Sequence, residues 1–233
     1  MLGKLLDIFY PRKCMFCGEK LNNKVEYYCK SCYNKLPFTE ENRCLVCGRE
    51  MFTNQNVCLS CQIHKRNFDE NISVFLYIDE MASALKRYKF TGKMYYHKPF
   101  SEFIYDEIRE RLCNIDYIVY PPINRITFYK RGYNQCELIA RELCRKTGVP
   151  YLKNAIIKVR QYKKQSLVKG KDRYKNVRGA FKINSKYNDI LNKKRVLLID
   201  DVLTTGATLD ECSRMLKKQG VHSVICATLC IVK

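Results

Sequence analysis

The segment Val196–Thr208, VLLIDDVLTTGAT, places the strongest constraint on the fold of this chain. Its first four residues are branched and apolar with no polar interruption, which is typical of a strand buried on both faces of a parallel sheet. Asp200 and Asp201 follow where that strand is expected to end, and helical spacing runs on from Leu209. A strand, a loop and a helix in this order predict the α/β fold class.

The loop between this strand and helix has the chemistry of an anion site. Backbone N–H groups converge at a helix N-terminus, and the helix dipole favours negative charge there. Threonines add hydroxyl donors, and a glycine lets the backbone approach a ligand closely. The paired acids can accept hydrogen bonds from vicinal hydroxyls or hold Mg²⁺, so the segment indicates a phosphorylated ribose as ligand. The residues predicted to bind it are Asp200, Asp201, Thr204, Thr205, Gly206, Ala207 and Thr208.

The same segment resembles the signature of type I phosphoribosyltransferases. The shared pattern is an apolar run, paired acids, two apolar residues and then Thr-Thr-Gly-x-Thr. In that family the acids hold the ribose hydroxyls of phosphoribosyl pyrophosphate, and the loop cradles its 5′-phosphate. The resemblance therefore implies phosphoribosyl pyrophosphate as ligand, with magnesium as its companion ion, in a strand–loop–helix context that suits the motif.

Eight of the fourteen cysteines form four Cys-x-x-Cys pairs near the start of the chain. Such a turn aims two sulfurs at one metal, and two turns complete a tetrahedral site. Disulfides are disfavoured in a cytosolic chain, so metal is the better interpretation. The segment CMFCG at Cys14 recurs as CLVCG at Cys44, which predicts how the pairs combine. The ligand sets predicted for two structural zinc ions are Cys14, Cys17, Cys29 and Cys32, and Cys44, Cys47, Cys58 and Cys61.

These patterns predict two domains, a double zinc ribbon over residues 1–65 and an α/β domain over residues 66–233. The metals are expected to supply much of the folding energy of so small a ribbon. His64 is an alternative zinc ligand, although the cysteine sets are complete without it. The α/β domain is predicted to have strands at 71–78, 116–120, 155–159 and 196–199, and helices at 80–90, 98–113, 134–146 and 209–218.

Two basic segments of the α/β domain are candidates for binding phosphate groups. The loop 124–135 follows a strand, and ligands of open α/β sheets lie beyond the carboxyl ends of strands. We expect it to face the phosphate loop and to offer Arg125, Lys130 and Arg131 to a pyrophosphate leaving group. The polar segment 160–179 is long enough to be a lid over a charged substrate, or else a mobile basic loop.

The charge of the chain suggests nucleic acid or another anionic partner. Its formal net charge is +20, although a genome-wide bias toward lysine would give the same composition. Lysines interleaved with aromatic residues in the ribbon would suit single-stranded DNA, and they would equally suit a solvated surface. Residues 1–10 predict a short amphipathic helix rather than a signal peptide, and no apolar stretch reaches the ~20 residues that span a bilayer. We therefore expect a cytoplasmic protein, with a peripheral membrane contact left open.

The whole chain resembles the ComF family (ComFC or GntX-like), in which a double zinc ribbon precedes a phosphoribosyltransferase domain. Besides the cysteine pairs and the phosphate loop, the matching segments are Leu85–Gly92, Lys130–Gln135, Arg160 with Gln165–Leu167, and Arg173–Phe181. One departure is Tyr120-Pro121-Pro122-Ile123, where the family usually has Val-Pro-Leu-His or similar. The resemblance implies a role in natural transformation, with incoming single-stranded DNA handled at the inner face of the membrane.

Partners implied by this resemblance are single-stranded DNA, phosphoribosyl pyrophosphate and other competence proteins such as the ComF helicase. It favours pentosyl transfer to an unidentified acceptor, and the sequence assigns no catalytic residue. Two alternatives stay open. One is a non-enzymatic zinc-ribbon DNA-binding module with a ligand-sensing domain. The other is a nucleobase salvage phosphoribosyltransferase, which does not need zinc ribbons.

Overall fold

The central sheet confirms the predicted α/β fold class. The computed structural model describes residues 12–21, 27–53, 55–160 and 172–232. Within these ranges the sheet has four parallel strands in the order β1-β6-β5-β2. The strands are β1 (Glu70–Leu76), β2 (Tyr117–Val119), β5 (Arg195–Leu203) and β6 (Ser223–Ile231). β5 is an inner strand, which is why its apolar run needs no polar residue on either face.

Alternate residues of β5 belong to two hydrophobic cores, one on each face of the sheet. Leu197 and Ile199 lie in the first core, whereas Val196 and Leu198 lie in the second. The helices in the described ranges are α1 (Lys30–Tyr33), α2 (Leu59–Ile63), α3 (Asp79–Phe90), α4 (His97–Ile108), α5 (Arg125–Arg131), α6 (Gln135–Thr147), α7 (Asp172–Val177), α8 (Asn188–Leu191) and α9 (Ala207–Lys218). Residues of α3, α4 and α6 complete the first core, and residues of α9 complete the second.

A second, smaller sheet contains the strand predicted at 155–159. The strand expected at 155–159 forms β3 (Ile156–Lys158), but it pairs antiparallel with β4 (Phe181–Ile183) and does not extend the parallel sheet. Ile156 and Phe181 are buried with α9 in the second core. The apolar pattern therefore identified a strand correctly, but pairing depends on residues far along the chain that the pattern does not reveal.

The zinc ribbon packs directly on the sheet domain. Met15 and Phe16 of the first Cys-x-x-Cys turn are buried in the first core. Further along, the amide of Thr39 donates to the carbonyl of Val74 at 3.0 Å, so the ribbon pairs with the outer edge of β1. Covering this edge removes a row of unpaired backbone groups. The hydrophobic core is thus continuous across the predicted boundary at residue 65.

Two further expectations were wrong in detail. The segment 124–135 is not an open loop, because it contains α5, which is capped by Asn124 accepting a hydrogen bond from the Thr127 amide at 2.6 Å. The helix expected at 98–113 is α4 followed by a 3₁₀ turn over Arg109–Asn114. Other 3₁₀ turns lie at Met94–Tyr96 and Ser185–Tyr187. Short polar segments of this kind offer little periodicity for prediction.

Two predicted features lie outside the described residues. They are the amphipathic helix over residues 1–10 and most of the basic segment 160–179, of which positions 161–171 are not described. Among the helices that the structure does describe, none combines the length and apolarity needed to cross a bilayer.

Candidate functional site

Two clusters of four cysteines confirm the predicted pairing. Within each cluster the sulfur atoms all lie within 4.8 Å of one another, and the clusters are Cys14, Cys17, Cys29, Cys32 and Cys44, Cys47, Cys58, Cys61. Backbone amides donate to sulfur in both: Cys29 N–H to Cys14 Sγ at 3.4 Å and Cys58 N–H to Cys44 Sγ at 3.3 Å. Such donors stabilise thiolate ligands. The donor sets fit two closed, structural zinc sites, and His64 lies outside both, exposed at the surface.

The paired acids lie inside β5, not beyond its end as expected, because the strand continues to Leu203. Asp201 is buried and is hydrogen-bonded on both oxygens. Lys89 Nζ donates to its Oδ1 at 2.7 Å, and Gln135 Nε2 donates to its Oδ2 at 2.6 Å. Burial opposes the charge on Lys89, but the carboxylates of Asp201 and Asp200 outweigh that effect and raise the pKa of its amine. Asp201 is therefore already paired within the protein.

Asp200 is placed differently and is the more available carboxylate. It is partly exposed, and both hydrogen bonds that the described residues donate to it reach Oδ1, from the Asp201 amide at 2.8 Å and from Cys136 Sγ at 3.5 Å. Burial and the adjacent Asp201 raise the pKa of Asp200 to about 7. Carboxylate oxygens at this edge suit Mg²⁺ or ribose hydroxyls. Cys136 is a buried residue of α6, and its contact with Asp200 was not predicted from the sequence.

The loop after β5 leads into α9 through a glycine in the left-handed conformation. Gly206 has φ +83° and is the N-cap of the twelve-residue helix α9. A residue with a side chain is strained at that φ, so glycine is needed here. The side chains of Thr204, Thr205 and Thr208 are partly exposed, whereas Gly206 and Ala207 are buried. All five predicted loop residues thus lie together at the N-terminus of α9, where the helix dipole favours phosphate.

Three side chains from outside β5 and α9 hold the carbonyl groups of this loop. Arg49 Nη2 donates to the oxygen of Thr204 at 3.2 Å, and Arg66 Nη1 donates to the oxygen of Thr205 at 3.3 Å. The hydroxyl of Tyr174 also donates to Thr205. In a trans peptide the carbonyl and the following N–H point in opposite directions. These three donors therefore leave the amides of Thr205 and Gly206 directed away from them.

Arg66 also connects the loop to the second cysteine cluster. Its Nη2 donates to Ser60 Oγ at 3.2 Å. A hydrogen bond from Cys47 and the nearby Arg66 lower the pKa of the Cys61 thiol to about 5. The backbone amide of the next residue, Asn67, donates to Asp210 Oδ1 at 2.7 Å. Asp210 lies on the first turn of α9. The second zinc ribbon and the start of the sheet domain therefore form hydrogen bonds with the phosphate loop, Thr204–Thr208, and with the first turn of α9.

The three basic residues predicted for pyrophosphate separate into two groups. Arg131 donates to Gln135 Oε1, and its guanidinium lies 5.4 Å from the centre of the Phe90 ring. Because Gln135 also donates to Asp201, Arg131 is linked to the acids through one residue. Arg125 and Lys130 are exposed on α5. The structure thus brings Arg131 to the site and leaves the other two at its surface.

Several residues of this site were not assigned from the sequence, although their segments were singled out. Three consecutive residues of the segment Leu85–Gly92 donate hydrogen bonds to different parts of the protein. Arg87 donates to the Met15 carbonyl at 2.6 Å, and Tyr88 donates to the Gln135 carbonyl at 2.8 Å. Lys89 donates to Asp201. Tyr133 donates back to the Tyr88 carbonyl. This segment joins the ribbon, the acids and the start of α6, which accounts for its appearance among the matching motifs.

The fold and the site define a double zinc ribbon joined to a phosphoribosyltransferase domain. The "Double zinc ribbon domain" family matches residues 5–62, and the "Phosphoribosyl transferase domain" family matches residues 133–232. Both findings agree with the α/β sheet and the paired cysteine clusters described above.

Similarity to characterised proteins extends over nearly the whole chain. "Competence protein F" of Haemophilus influenzae is 27% identical over 93% of this chain and 95% of its own length. "Competence protein ComFC" of Bacillus subtilis is 26% identical over 89% of each chain. "DNA utilization protein YhgH" of Escherichia coli is 22% identical over 94% of this chain and 97% of its own length. The resemblance to the ComF family is thereby confirmed, and the chain combines a double zinc ribbon with a phosphoribosyltransferase-like domain.

Proposed function

We propose that this protein binds phosphoribosyl pyrophosphate with Mg²⁺ and binds single-stranded DNA during DNA uptake in natural transformation. The proposed binding of phosphoribosyl pyrophosphate rests on one observation, which is the order of functional groups along β5 and the loop that follows it. Asp200 lies near the end of β5, and the loop Thr204–Thr208 leads into α9 through Gly206 at φ +83°. A carboxylate for ribose or Mg²⁺ and an amide cradle for phosphate follow each other along one segment of chain.

The proposed roles follow from the contacts of each residue. Thr204, Thr205, Gly206, Ala207 and Thr208 bind the 5′-phosphate, Asp200 holds ribose hydroxyls or Mg²⁺, and Arg131 faces the pyrophosphate group. Asp201 acts with Lys89, because the two form an ion pair at 2.7 Å. Arg125 and Lys130 are exposed, and we propose that they contact pyrophosphate only at the outer edge of the site. We retain a division at residue 65 between the ribbon and the sheet domain, as well as two structural zinc ions.

If the protein turns over, the step is displacement of pyrophosphate from the anomeric carbon by an acceptor nucleophile. The new bond forms between the acceptor and the anomeric carbon as the bond to pyrophosphate oxygen breaks, and the pyrophosphate leaves with the electron pair. Such a step relies on positioning and on charge stabilisation of the leaving group. The positive charges near the acids are Lys89 and Arg131, and both suit that role.

One experiment separates binding from turnover. Calorimetry with phosphoribosyl pyrophosphate, with and without Mg²⁺, is expected to show binding that depends on the metal. Incubation with labelled ligand and candidate acceptors then measures pyrophosphate release. Release establishes a transferase, whereas binding without release indicates a ligand-sensing domain. Absence of binding in both conditions would overturn the proposal for this site.

The competence role rests on the similarity to competence proteins F and ComFC along the chain. We propose a cytoplasmic location close to the inner face of the membrane, where incoming DNA and a partner helicase meet the protein. Deletion of the gene is expected to reduce transformation frequency. Restoration by the wild-type gene, and failure of restoration by an Asp200→Asn variant, would connect that role to the ligand site.

A further inference from the structure

A large cleft lies at the first zinc ribbon, and no residue of the phosphate loop, Thr204–Thr208, is among its described lining residues. It has a volume of about 830 Å³ and runs between the Cys14–Cys17 turn and the segment that joins α3 to α4. We call it the first-ribbon groove. Its basic lining residues are Arg12, Lys13, Arg87, Lys93 and Lys98, and its aromatic ones are Phe16, Tyr27, Tyr95 and Tyr96. No acidic residue is among the lining residues that the structure describes.

From this geometry we infer that the first-ribbon groove is the seat of single-stranded nucleic acid. The inference rests on the single-strand binding proposed above and adds the place where it occurs. Grooves for single strands combine a positively charged track for the phosphates with aromatic faces on which bases stack. The groove has both, since five basic side chains line it together with the half-exposed ring of Tyr95 and the partly exposed ring of Tyr27, whereas Phe16 and Tyr96 are buried.

Tyr95 is the base-stacking platform of the groove. Tyr95 is 47% exposed, and its ring is nearly perpendicular to the ring of Tyr96, with 4.9 Å between ring centres and 86° between planes. Lys93 Nζ lies over the Tyr95 ring, 5.9 Å from its centre. A base that stacks on that face would displace the amine, which would then be free to contact the phosphate of the same nucleotide. A cation and a half-exposed ring are therefore paired in the groove.

The floor of the groove is fixed by the contacts between ribbon and helix. Arg87 Nη2 donates to the Met15 carbonyl at 2.6 Å, and the Tyr96 hydroxyl donates to the same carbonyl at 3.2 Å. Met15 is itself buried in the first core. Because the first cysteine cluster shapes the Cys14–Cys17 turn, one wall of the groove depends on that cluster and the other on α3 and α4. Such preorganisation reduces the entropy lost on binding.

Another tyrosine of the first ribbon, Tyr28, is less suited to stacking on a base. It packs against Phe103 and Tyr33, with ring centres 5.2 Å and 5.5 Å away, and those two rings also lie 6.3 Å from each other. Its ring is therefore part of an aromatic cluster within the protein. We accordingly place the stacking residue at Tyr95, which shares the groove with Tyr27.

Fluorescence anisotropy of the full-length, zinc-loaded chain with labelled oligothymidine tests this assignment. Tyr95→Ala is expected to weaken binding about tenfold at every salt concentration, because loss of stacking is screened little by salt. Lys93→Ala combined with Lys98→Ala is expected to flatten the log–log salt slope by about 1.4, since each phosphate contact contributes about 0.7. Matched controls are Phe52→Ala, an exposed aromatic of the second ribbon, and Lys182→Ala with Lys186→Ala, two exposed lysines elsewhere.

The possible outcomes distinguish two claims, namely that the protein binds single strands and that it binds them in the first-ribbon groove. If wild-type protein binds and the controls bind equally, but the groove variants show the losses above, the assignment holds. If both groove variants bind oligothymidine as tightly as the wild type, or if the control variants lose as much affinity as the groove variants, the assignment of the site to the groove is wrong. Binding of single strands by the protein then still stands. If wild-type protein does not bind at about 50 mM salt, where phosphate contacts are strong, single-strand binding and the groove both fall. Circular dichroism of each variant checks that it is folded.

Discussion

Arg49 of the second zinc ribbon donates a hydrogen bond from Nη2 to the backbone oxygen of Thr204, 3.2 Å away in the phosphate loop. The two residues lie 155 positions apart in the chain. Arg66 makes a parallel contact to Thr205 at 3.3 Å. The ribbon thus holds the carbonyl side of the loop whose amide side we propose to bind phosphate, and under that proposal it would contribute to ligand binding.

Removing this contact should weaken ligand binding without unfolding the protein. We expect Arg49→Ala to reduce the affinity for phosphoribosyl pyrophosphate about tenfold, because a charged donor to the loop carbonyl is lost. Calorimetry measures the change. Arg43→Ala is the matched control, since Arg43 lies in the same ribbon but pairs with Glu107 at 2.7 Å. Equal affinities for Arg49→Ala and the wild type would show that the hydrogen bond from Arg49 to Thr204 has no role in binding.

The two cysteine clusters should have separable effects. We expect two zinc ions per chain by elemental analysis of reduced protein, and one after either Cys17→Ser or Cys47→Ser. Cys47→Ser should weaken phosphoribosyl pyrophosphate binding, because Arg49 follows Cys47 closely. Cys17→Ser should weaken oligonucleotide binding, because Cys17 lines the first-ribbon groove.

Exposed Cys113 lies outside both clusters, so Cys113→Ser should leave the zinc content and both affinities unchanged. A wild-type chain with fewer than two zinc ions would remove the two-site assignment. Because Cys14 is buried in the first core, its loss is expected to destabilise the sheet domain as well.

Asp200 offers the cleaner test of the sugar site. Asp200→Asn is expected to abolish detectable binding of phosphoribosyl pyrophosphate with little change in circular dichroism, since Asp200 is partly exposed and forms no ion pair with a described residue. Asp189→Asn is a suitable control because Asp189 is an exposed acid on α8. Unchanged affinity in the Asp200 variant would mean that the motif has lost its role.

Asp201 should behave differently, because its substitution leaves Lys89 without its carboxylate. The two side chains are 8% and 20% exposed and lie 2.7 Å apart. We expect Asp201→Asn to lower the free energy of unfolding by about 3 kcal/mol, the usual cost of breaking a buried pair by removing one partner. Lys89→Met in the same chain should recover much of that loss. If Asp201→Asn unfolds at the same urea concentration as the wild type, the pair contributes no stability.

The raised pKa of Asp200 predicts a specific dependence of stability on pH. Burial and Asp201 raise this pKa from 3.8 to about 7. Between these values the folded chain retains a proton that the unfolded chain has lost, so the free energy of unfolding falls as pH rises from about 4 to about 7. Urea unfolding followed by circular dichroism at about pH 5 and about pH 8 measures the difference. Asp200→Asn should remove this part of the pH dependence, and its persistence in that variant would assign it to another group.

The sequence by itself determined the local elements and the chemistry that they carry. The apolar run Val196–Ile199 predicted an inner parallel strand, because a strand covered on both faces has no polar positions. The segment CMFCG at Cys14 recurs as CLVCG at Cys44. This repeat predicted the ligand sets, because each Cys-x-x-Cys turn is fixed locally. These properties depend on neighbours within a few residues, so they are visible in the chain before it folds.

Only the tertiary structure decided which of these groups act together. It paired Asp201 with Lys89 across 112 positions and left Asp200 available. It also set Arg49 against Thr204 and formed the first-ribbon groove from two distant segments. Adjacent residues of a strand point to opposite faces, so two neighbouring acids meet different surroundings. Those surroundings depend on how the helices pack, which no local pattern in the sequence records.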